Sequence, residues 1–406
     1  MLNKNKLLSP LTIIAITALG AFLRFTRLNI PNEIYFDEIY YVKAAKEYLK
    51  FLPDTNWMHP PAAKMIMAMG IGVFGDNSFG WRAAGALLGT LSIYLIYLLS
   101  RRLFKSNFAA SFAAFLLAIC PLNIAVSRIA LLDIYVSFFT LLGFYFLYLY
   151  LDLENNPKAY LVSAIISFAV SSACKWSGIF GIIGALIILV YYKYKEHRVK
   201  DNFALILFLF FILTAAVYLA SFIPFFVQKN GIAKFITYHV NSIKFHYEPE
   251  FKHVYLSKAW SWPLLIRPIW FYFKDFTPEK YIGIICMGNP FIWWSFIPFY
   301  FYIIFDFIKI KKPELFFIIC GYFSLYAFWF IALKGGFFYY MAPASIFMYL
   351  TITYALNKLW KNNQKYPAVI YLYLACAFFV LFSPIVIAVP VTKTYFYKLM
   401  WFKSWI

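Results

Sequence analysis

Phe36-Asp37-Glu38 sets two adjacent carboxylates just past the first apolar run of the chain, and His59-Pro60-Pro61-Ala62-Ala63-Lys64 follows in the same loop. A carboxylate beside a bilayer surface can take the proton of an acceptor hydroxyl while that oxygen attacks the anomeric carbon of a sugar carried on a lipid phosphate. The leaving phosphate needs no proton; it needs positive charge, which an arginine or lysine near the membrane supplies. In an extended segment Asp37 and Glu38 point in opposite directions, so different roles are expected for them. The two prolines stiffen the entry to the apolar run from Ala62 to Gly72 and present His59 and Lys64 at defined positions, although a plain structural turn would use the same residues. No second histidine stands at metal-ligand spacing from His59, and no external Asp-x-Asp is available to hold a cation against a diphosphate. A metal-independent reaction with a monophosphate-linked donor, and no cofactor, is therefore expected. Two neighbouring carboxylates are a weak motif alone and also describe a solvated acidic loop.

Other charged residues sit where a membrane tolerates them poorly. A central Asp, Lys or Arg costs about 2.5–3.5 kcal/mol on insertion, so such residues mark function or span ends. Arg128 and Asp133 flank a helix junction in Ser127-Arg128-Ile129-Ala130-Leu131-Leu132-Asp133, either facing one cavity or only locking a helix end. Lys175, between Cys174 and Trp176, either serves the site or snorkels to the headgroups. The segment from Tyr255 to Tyr272 crowds Trp260, Trp262 and Trp270 with prolines and Arg267. Its aromatic rings suit an interfacial belt or a platform for a sugar or an extended peptide, and Arg267 suits a phosphate or a backbone carbonyl. Gly335-Gly336-Phe337-Phe338-Tyr339-Tyr340-Met341-Ala342-Pro343 reads as a turn into a helix.

The elements that must position these residues are membrane helices. Of 406 residues, 63% are hydrophobic, 23% aromatic and only 13% charged, with mean hydropathy +0.71, far from a soluble average. Spans are expected at residues 10–28, 81–99, 107–125, 134–151, 159–174, 176–192, 202–224, 283–305, 314–332, 338–356 and 367–389, about eleven helices in an all-α polytopic protein. The pair of short spans around Lys175 could instead form a re-entrant hairpin, which would invert everything after it. A cytoplasmic N-terminus puts the basic clusters at 101–105, 193–200, 309–312 and 358–365 inside and the C-terminus outside. The loops at 29–80 and 225–282 then share the external face. The chain divides into residues 1–224, a transmembrane module holding the first external loop, and residues 225–406, the second loop plus a four-helix module. Lys4 and Lys6 before an apolar run resemble a signal peptide, but the absence of a small-residue cleavage site favours an uncleaved first helix. The five cysteines show no metal or redox spacing. The formal charge of +20 gathers largely in short loops, where topology demands it, which argues against nucleic acid. A transporter would place charges near the midplane and show repeats; neither pattern is present.

Taken together, Arg24-x-x-Arg27 before Asp37-Glu38, His-Pro-Pro-x-x-Lys at 59–64, Arg128 to Asp133, Lys175-Trp176, Trp-Ser-Trp-Pro-Leu-Leu-Ile-Arg-Pro-Ile-Trp at 260–270 and Phe-Tyr-Tyr-x-x-Pro at 338–343 resemble the protein O-mannosyltransferase family. The match runs in order from about residue 20 to about residue 390, the Trp-rich segment being its most specific part. The resemblance implies a GT-C fold and inverting transfer of mannose from a polyprenyl-phosphate-mannose donor to Ser or Thr of secreted or membrane proteins. It implies Asp37 as general base, Glu38 as a second or acceptor-positioning carboxylate and Arg128 near the donor phosphate. His59, Lys64, Lys175, Arg267 and Asp133 join the donor or substrate set, with Tyr40, Trp260, Trp262 and Tyr339 as acceptor or sugar contacts. Partners implied are the lipid-linked donor and a secreted protein acceptor delivered by the translocation machinery; eukaryotic relatives work as dimers, but no sequence feature commits this chain to a second subunit. Two departures stand out. The first loop reads Phe-Asp-Glu-Ile-Tyr-Tyr where many members have a histidine, and the second is too short for a β-trefoil insertion, which fits a prokaryotic form in the cytoplasmic membrane with its site facing out. An enzyme acting on a glycolipid or cell-wall glycan, like the aminoarabinose transferases of the same superfamily, would keep the acidic loop without a peptide groove.

Overall fold

Ranges of apolar residues long enough to bury a backbone in lipid fold here as helices, because every N–H and C=O is then satisfied within the segment. The computed structural model describes residues 4–228, 230–247, 253–332 and 335–406, with side chains from residue 10 onward. In chain order the first half holds α1 (Lys4–Phe25), α2 (Glu38–Leu49), α3 (Ala62–Phe74), α4 (Ser78–Phe104), α5 (Asn107–Ala118), α6 (Pro121–Ser127), α7 (Asp133–Asp152), α8 (Lys158–Cys174), α9 (Ile179–Tyr194) and α10 (Phe203–Ser221). The second half holds α11 (Ile223–Val227), α12 (Ile232–Tyr247), β1 (Ile269–Thr277), β2 (Lys280–Cys286), α13 (Pro290–Ile310), α14 (Pro313–Tyr326), α15 (Ala342–Lys361), α16 (Tyr366–Phe382), β3 (Val391–Thr392) and α17 (Lys393–Leu399).

Among the described residues seven helices are long and apolar enough to cross a membrane, or eight if α5 and α6, bent by 59° at their junction, form one span. The sequence expectation of an all-α chain needs correction at residues 269–286, where β1 and β2 pair antiparallel and β3 adds a short third strand in the order β1-β2-β3. The expected span from 283 therefore starts at Pro290. Alternation of buried and exposed residues is masked in this hairpin by its aromatic content and two register shifts. Start signals are local: Asn77 Oδ1 accepts from the N–H groups of Phe79 and Gly80, both at 3.0 Å, Asn289 does the same for α13, and Pro290 and Pro313 occupy first-turn positions.

Helix α4 packs against α1, α3, α5 and α7, and α15 against α5, α7, α13 and α14. Close approach depends on small residues: a Cβ at Gly89 would lie 2.1 Å from Ser127 Oγ. Beside it Arg24, fully buried, donates to Asn123 Oδ1 at 2.7 Å and to the carbonyls of Leu117 and Ala118, tying α1 to the α5–α6 bend. The basic helix ends also meet one another. Lys361 Nζ donates to Phe104 O at 3.0 Å, Lys358 pairs with Asp306 at 2.7 Å, and Arg102 lies 3.6 Å from Asp152. Asp133 opens α7 and Asp152 closes it, so these basic ends and the Asp133 end are about 30 Å apart.

Candidate active site

Phe36 precedes the carboxylate pair with φ of 51°, a left-handed backbone that a bulky residue adopts only when surroundings impose it. Its ring is held 4.8 Å from Phe271 at the start of β1 and 6.0 Å from Tyr339. The twist throws Asp37 and Glu38 to different sides. Glu38 is fully buried and takes a bidentate pair from Arg82, Nε to Oε1 at 2.8 Å and Nη2 to Oε2 at 2.9 Å; it also accepts from Ala130 N at 3.0 Å. Arg82 goes on to donate to the carbonyls of Leu28, Pro31 and Glu33 at 2.8 to 3.0 Å. The pair pins the first loop to α4, and Glu38 has no proton-transfer work left to do there.

Asp37 behaves differently. It stands at the N-cap position of α2 yet makes no side-chain cap, where an aspartate ordinarily accepts from the first-turn N–H groups. Its Oδ2 instead accepts a long bond, 3.4 Å, from Tyr339 Oη. Burial pushes its carboxyl up to about 6, opposed by Lys175 and by the Tyr339 bond and reinforced by Asp133. Lys175 breaks the chain between α8 and α9 and donates to both oxygens of Asp133 at 2.9 and 3.0 Å. The Lys175 ammonium sits 4.1 Å from the Tyr340 ring centroid and 5.6 Å from that of Tyr339, a cation held by ring faces and one carboxylate. His59 borders the same group: its ring lies 6.1 Å from Tyr41 and 5.1 Å from His246. Burial, with Lys175 and His246 nearby, holds His59 well below its usual range and therefore neutral, and its Nδ1 is buried without a hydrogen-bond partner among the described residues.

Several residues expected to hold the donor are occupied elsewhere. Arg128 is 2% exposed and its Nη atoms donate to the carbonyls of Leu23, Arg24, Thr26 and Arg27 at 2.7 to 3.1 Å, closing the C-terminal end of α1, the contacts that the helix-lock alternative calls for. Lys64, fully buried, pairs with Asp54 and donates to the carbonyls of Asn56 and His59 at 2.7 and 2.8 Å, so it braces the loop that presents His59. Arg267 bonds Val254 O and Ser404 O, the backbone alternative. Trp262 is buried with its Nε1 on Ser257 Oγ at 2.9 Å and packs against Tyr326, Trp329 and Tyr340. Tyr40 and Trp260 remain exposed and take no part in the cluster. Arg82 and Tyr340 were missed; an arginine in the first turn of an apolar helix and the second tyrosine of the Tyr-Tyr pair were their only signals. The site thus gathers Asp37, Tyr339, Tyr340, Lys175, Asp133 and His59.

Two family models described as dolichyl-phosphate-mannose-protein mannosyltransferase match residues 14–78 and 58–221, and one described as the C-terminal four TMM region of protein-O-mannosyltransferase matches residues 231–405. The chain belongs to the protein O-mannosyltransferase family. A polyprenol-phosphate-mannose–protein mannosyltransferase of Mycolicibacterium smegmatis is 23% identical over 96% of this chain and 92% of its own length. Protein O-mannosyl-transferase 1 of Homo sapiens is 34% identical over 33% of this chain and 20% of its own. The Saccharomyces cerevisiae protein O-mannosyltransferase Pmt1–Pmt2 complex bound to the sugar donor has the same fold, with TM-score 0.84 at 15% identity over 100% of this chain and 93% of that one. ArnT from Cupriavidus metallidurans bound to undecaprenyl phosphate follows with TM-score 0.67 at 16% identity, over 92% and 65%. This O-mannosyltransferase-type chain shares the helical fold of those structures, with the Asp37 cluster at one end of the bundle.

Proposed function

We propose that the chain is an inverting glycosyltransferase that moves mannose from polyprenyl-phosphate-mannose to Ser or Thr hydroxyls of secreted or membrane proteins. The observation that carries the reading is an uncapped, largely buried Asp37 carboxylate beside the Lys175–Asp133 pair. The hydroxyl oxygen attacks C1 of the sugar, its proton passes to Asp37, and the bond from C1 to the phosphate oxygen breaks with the electron pair leaving on phosphate. A carboxyl titrating near 6 is about nine-tenths ionised at pH 7 and a stronger base than an ordinary aspartate. Lys175 takes the phosphate role in this account, since Arg82, Arg128, Lys64 and Arg267 are engaged with protein acceptors. Its ring faces and single carboxylate leave it able to turn toward a developing anion. Tyr339 orients Asp37, and neutral His59 offers its unpartnered Nδ1 to a sugar or acceptor hydroxyl. No metal or other cofactor enters this scheme, so chelation is expected to leave the rate unchanged.

Eleven spans with the N-terminus in the cytoplasm and the C-terminus outside would put the basic ends of α4, α9, α13 and α15 inside and the Asp37 site on the outer face of the cytoplasmic membrane. The roughly 30 Å between the ends of α7 supports this, being the thickness of a hydrocarbon core. Delivery of the acceptor by the translocation machinery and pairing with a second subunit belong to the same reading; the yeast relative is itself a two-protein complex. The glycolipid or glycan alternative is less favoured, because the bacterial relatives matched along nearly the whole chain carry the protein-transferring name. The test is transfer of radiolabelled mannose from synthetic polyprenyl-phosphate-mannose by membranes expressing the chain. Label in a Ser/Thr-rich peptide supports the reading, whereas label only in lipid or glycan overturns it.

A further inference from the structure

Helix α12 (Ile232–Tyr247) lies in the segment expected to be an external loop, and its surface divides into three stripes. At 3.6 residues per turn, Ile232, Ile236, Val240, Ile243 and Tyr247 fall within an arc of about 80°, and all five are between 40% and 74% exposed. Lys234, Thr237, Asn241 and Lys244 form an adjoining polar stripe, also exposed. The third stripe packs on the protein beside the Asp37 cluster. Tyr238 Oη donates to His59 O at 2.7 Å and Ser242 Oγ to Met58 O at 2.9 Å. His239 Nε2 meets Tyr218 Oη at 2.9 Å, and Tyr218 Oη accepts from Trp176 Nε1 at 3.0 Å. The His246 ring lies 5.1 Å from His59 and 5.5 Å from Trp176, the neighbour of Lys175.

We propose that α12 is an interfacial helix, lying along the membrane surface with its isoleucine stripe in lipid, its lysine stripe at the headgroups and its third stripe forming a wall of the active site. A stripe of five large apolar side chains is too extensive to leave against water. It follows in the chain on α10, only 11% of whose apolar window is buried inside the protein, through Ile223 and Val227 of α11, which are exposed. Apolar on one side and basic beside it is the pattern that inserts shallowly at an anionic surface. Because one end of the connection is lipid and the other is the His59 loop, the bilayer itself holds this wall against the site. The role of the wall rests on the reading of the Asp37 cluster given above; its lipid contact does not.

The test uses the full chain in lipid nanodiscs containing phosphatidylcholine and phosphatidylglycerol, both faces being accessible there. Single cysteines are placed at Ile236→Cys and Ile243→Cys on one stripe and at Thr237→Cys and Lys244→Cys on the other. A water-soluble, membrane-impermeant maleimide is added, with the parent chain reporting the native cysteines, four of which are buried. The two stripe positions are expected to react at least about tenfold more slowly than the two polar positions, as depth in the interface requires. Equal rates would overturn the proposal. Protection that vanishes when each disc holds one copy would assign the stripe to a second copy instead and would equally overturn it. The readout needs no mannosyl transfer, so failure here and failure of the transfer assay are separate results.

Discussion

Loss of the Glu38–Arg82 pair should destabilise the first loop far more than its single position suggests. Both side chains are fully buried and joined at 2.8 and 2.9 Å, and Arg82 also holds three loop carbonyls. Removing one member of such a pair leaves an uncompensated buried charge and costs about 3–5 kcal/mol. Glu38→Gln keeps the carbonyl bonds and should sit at the lower end of that range. Arg82→Leu strands the Glu38 carboxylate with the N–H groups of Ala130 and Tyr35 and frees the carbonyls, so it should sit at the upper end. The double variant should cost less than the two single costs combined, by at least about 2 kcal/mol of coupling. Denaturation midpoints of the solubilised chain rank the three variants, and transfer assays run alongside. Turnover in Glu38→Gln should fall about 10- to 100-fold through misplacement of Asp37, while the pH midpoint of the residual activity stays where it was. Additive costs, or single costs under about 0.5 kcal/mol, would refute the claim that this pair fixes the loop.

The remaining predictions concern charge around Asp37. Its pH–rate profile for kcat/KM should rise through a midpoint near 6 and lose about tenfold per pH unit below it, since the base must be ionised. Lys175→Met removes the cation that draws this midpoint down, so the midpoint should move to higher pH while donor binding weakens; Asp133→Asn should move it lower. For stability the sign is as follows: the folded-state value lies above the ordinary 3.8, so the folded form keeps a proton the unfolded form has released. Stability contributed by the neutral form is thus lost as pH rises from about 4 to about 6. Asp37→Asn should accordingly be the more stable chain at pH 7.5, by no more than about 2 kcal/mol once partial exposure is allowed for, read as a raised melting temperature. Lys64→Met should lower the melting temperature and leave the KM for donor within about twofold, because its ammonium braces Asp54 and the His59 carbonyl.

Much of the scaffold was legible in residue order because helices announce themselves locally. Long apolar runs and caps such as Asn77 and Asn289 mark the spans, and Asp37, Lys175 and Asp133 stood out because a membrane makes isolated charge conspicuous. What a charge touches was not legible. Arg128 and Lys64 look in sequence like cations awaiting a phosphate, yet their partners are backbone carbonyls and Asp54 supplied by folding; those carbonyls carry no residue identity for a reader to notice. Arg82 escaped attention because it stands at the edge of an expected span, where an arginine is unremarkable until Glu38 is brought to it across the loop. The hairpin at 269–286 was hidden by aromatic residues that suit strands and membrane belts alike. The stripes of α12 lie inside a segment whose mixed polar content reads as loop.

Asp37 as the base is the centre of the account, and Asp37→Asn compared with the unaltered chain tests it most directly. Both are reconstituted in lipid, given radiolabelled polyprenyl-phosphate-mannose with a Ser/Thr-rich peptide and chelator, and measured for transfer and for donor retention. Asp37→Asn should leave at least about 100-fold less label in peptide, as expected for loss of a general base, with donor retained to the same extent and the unaltered chain indifferent to chelator. Transfer by Asp37→Asn within about threefold of the unaltered chain would contradict the assignment and move the search for a base to the other side chains of the cluster.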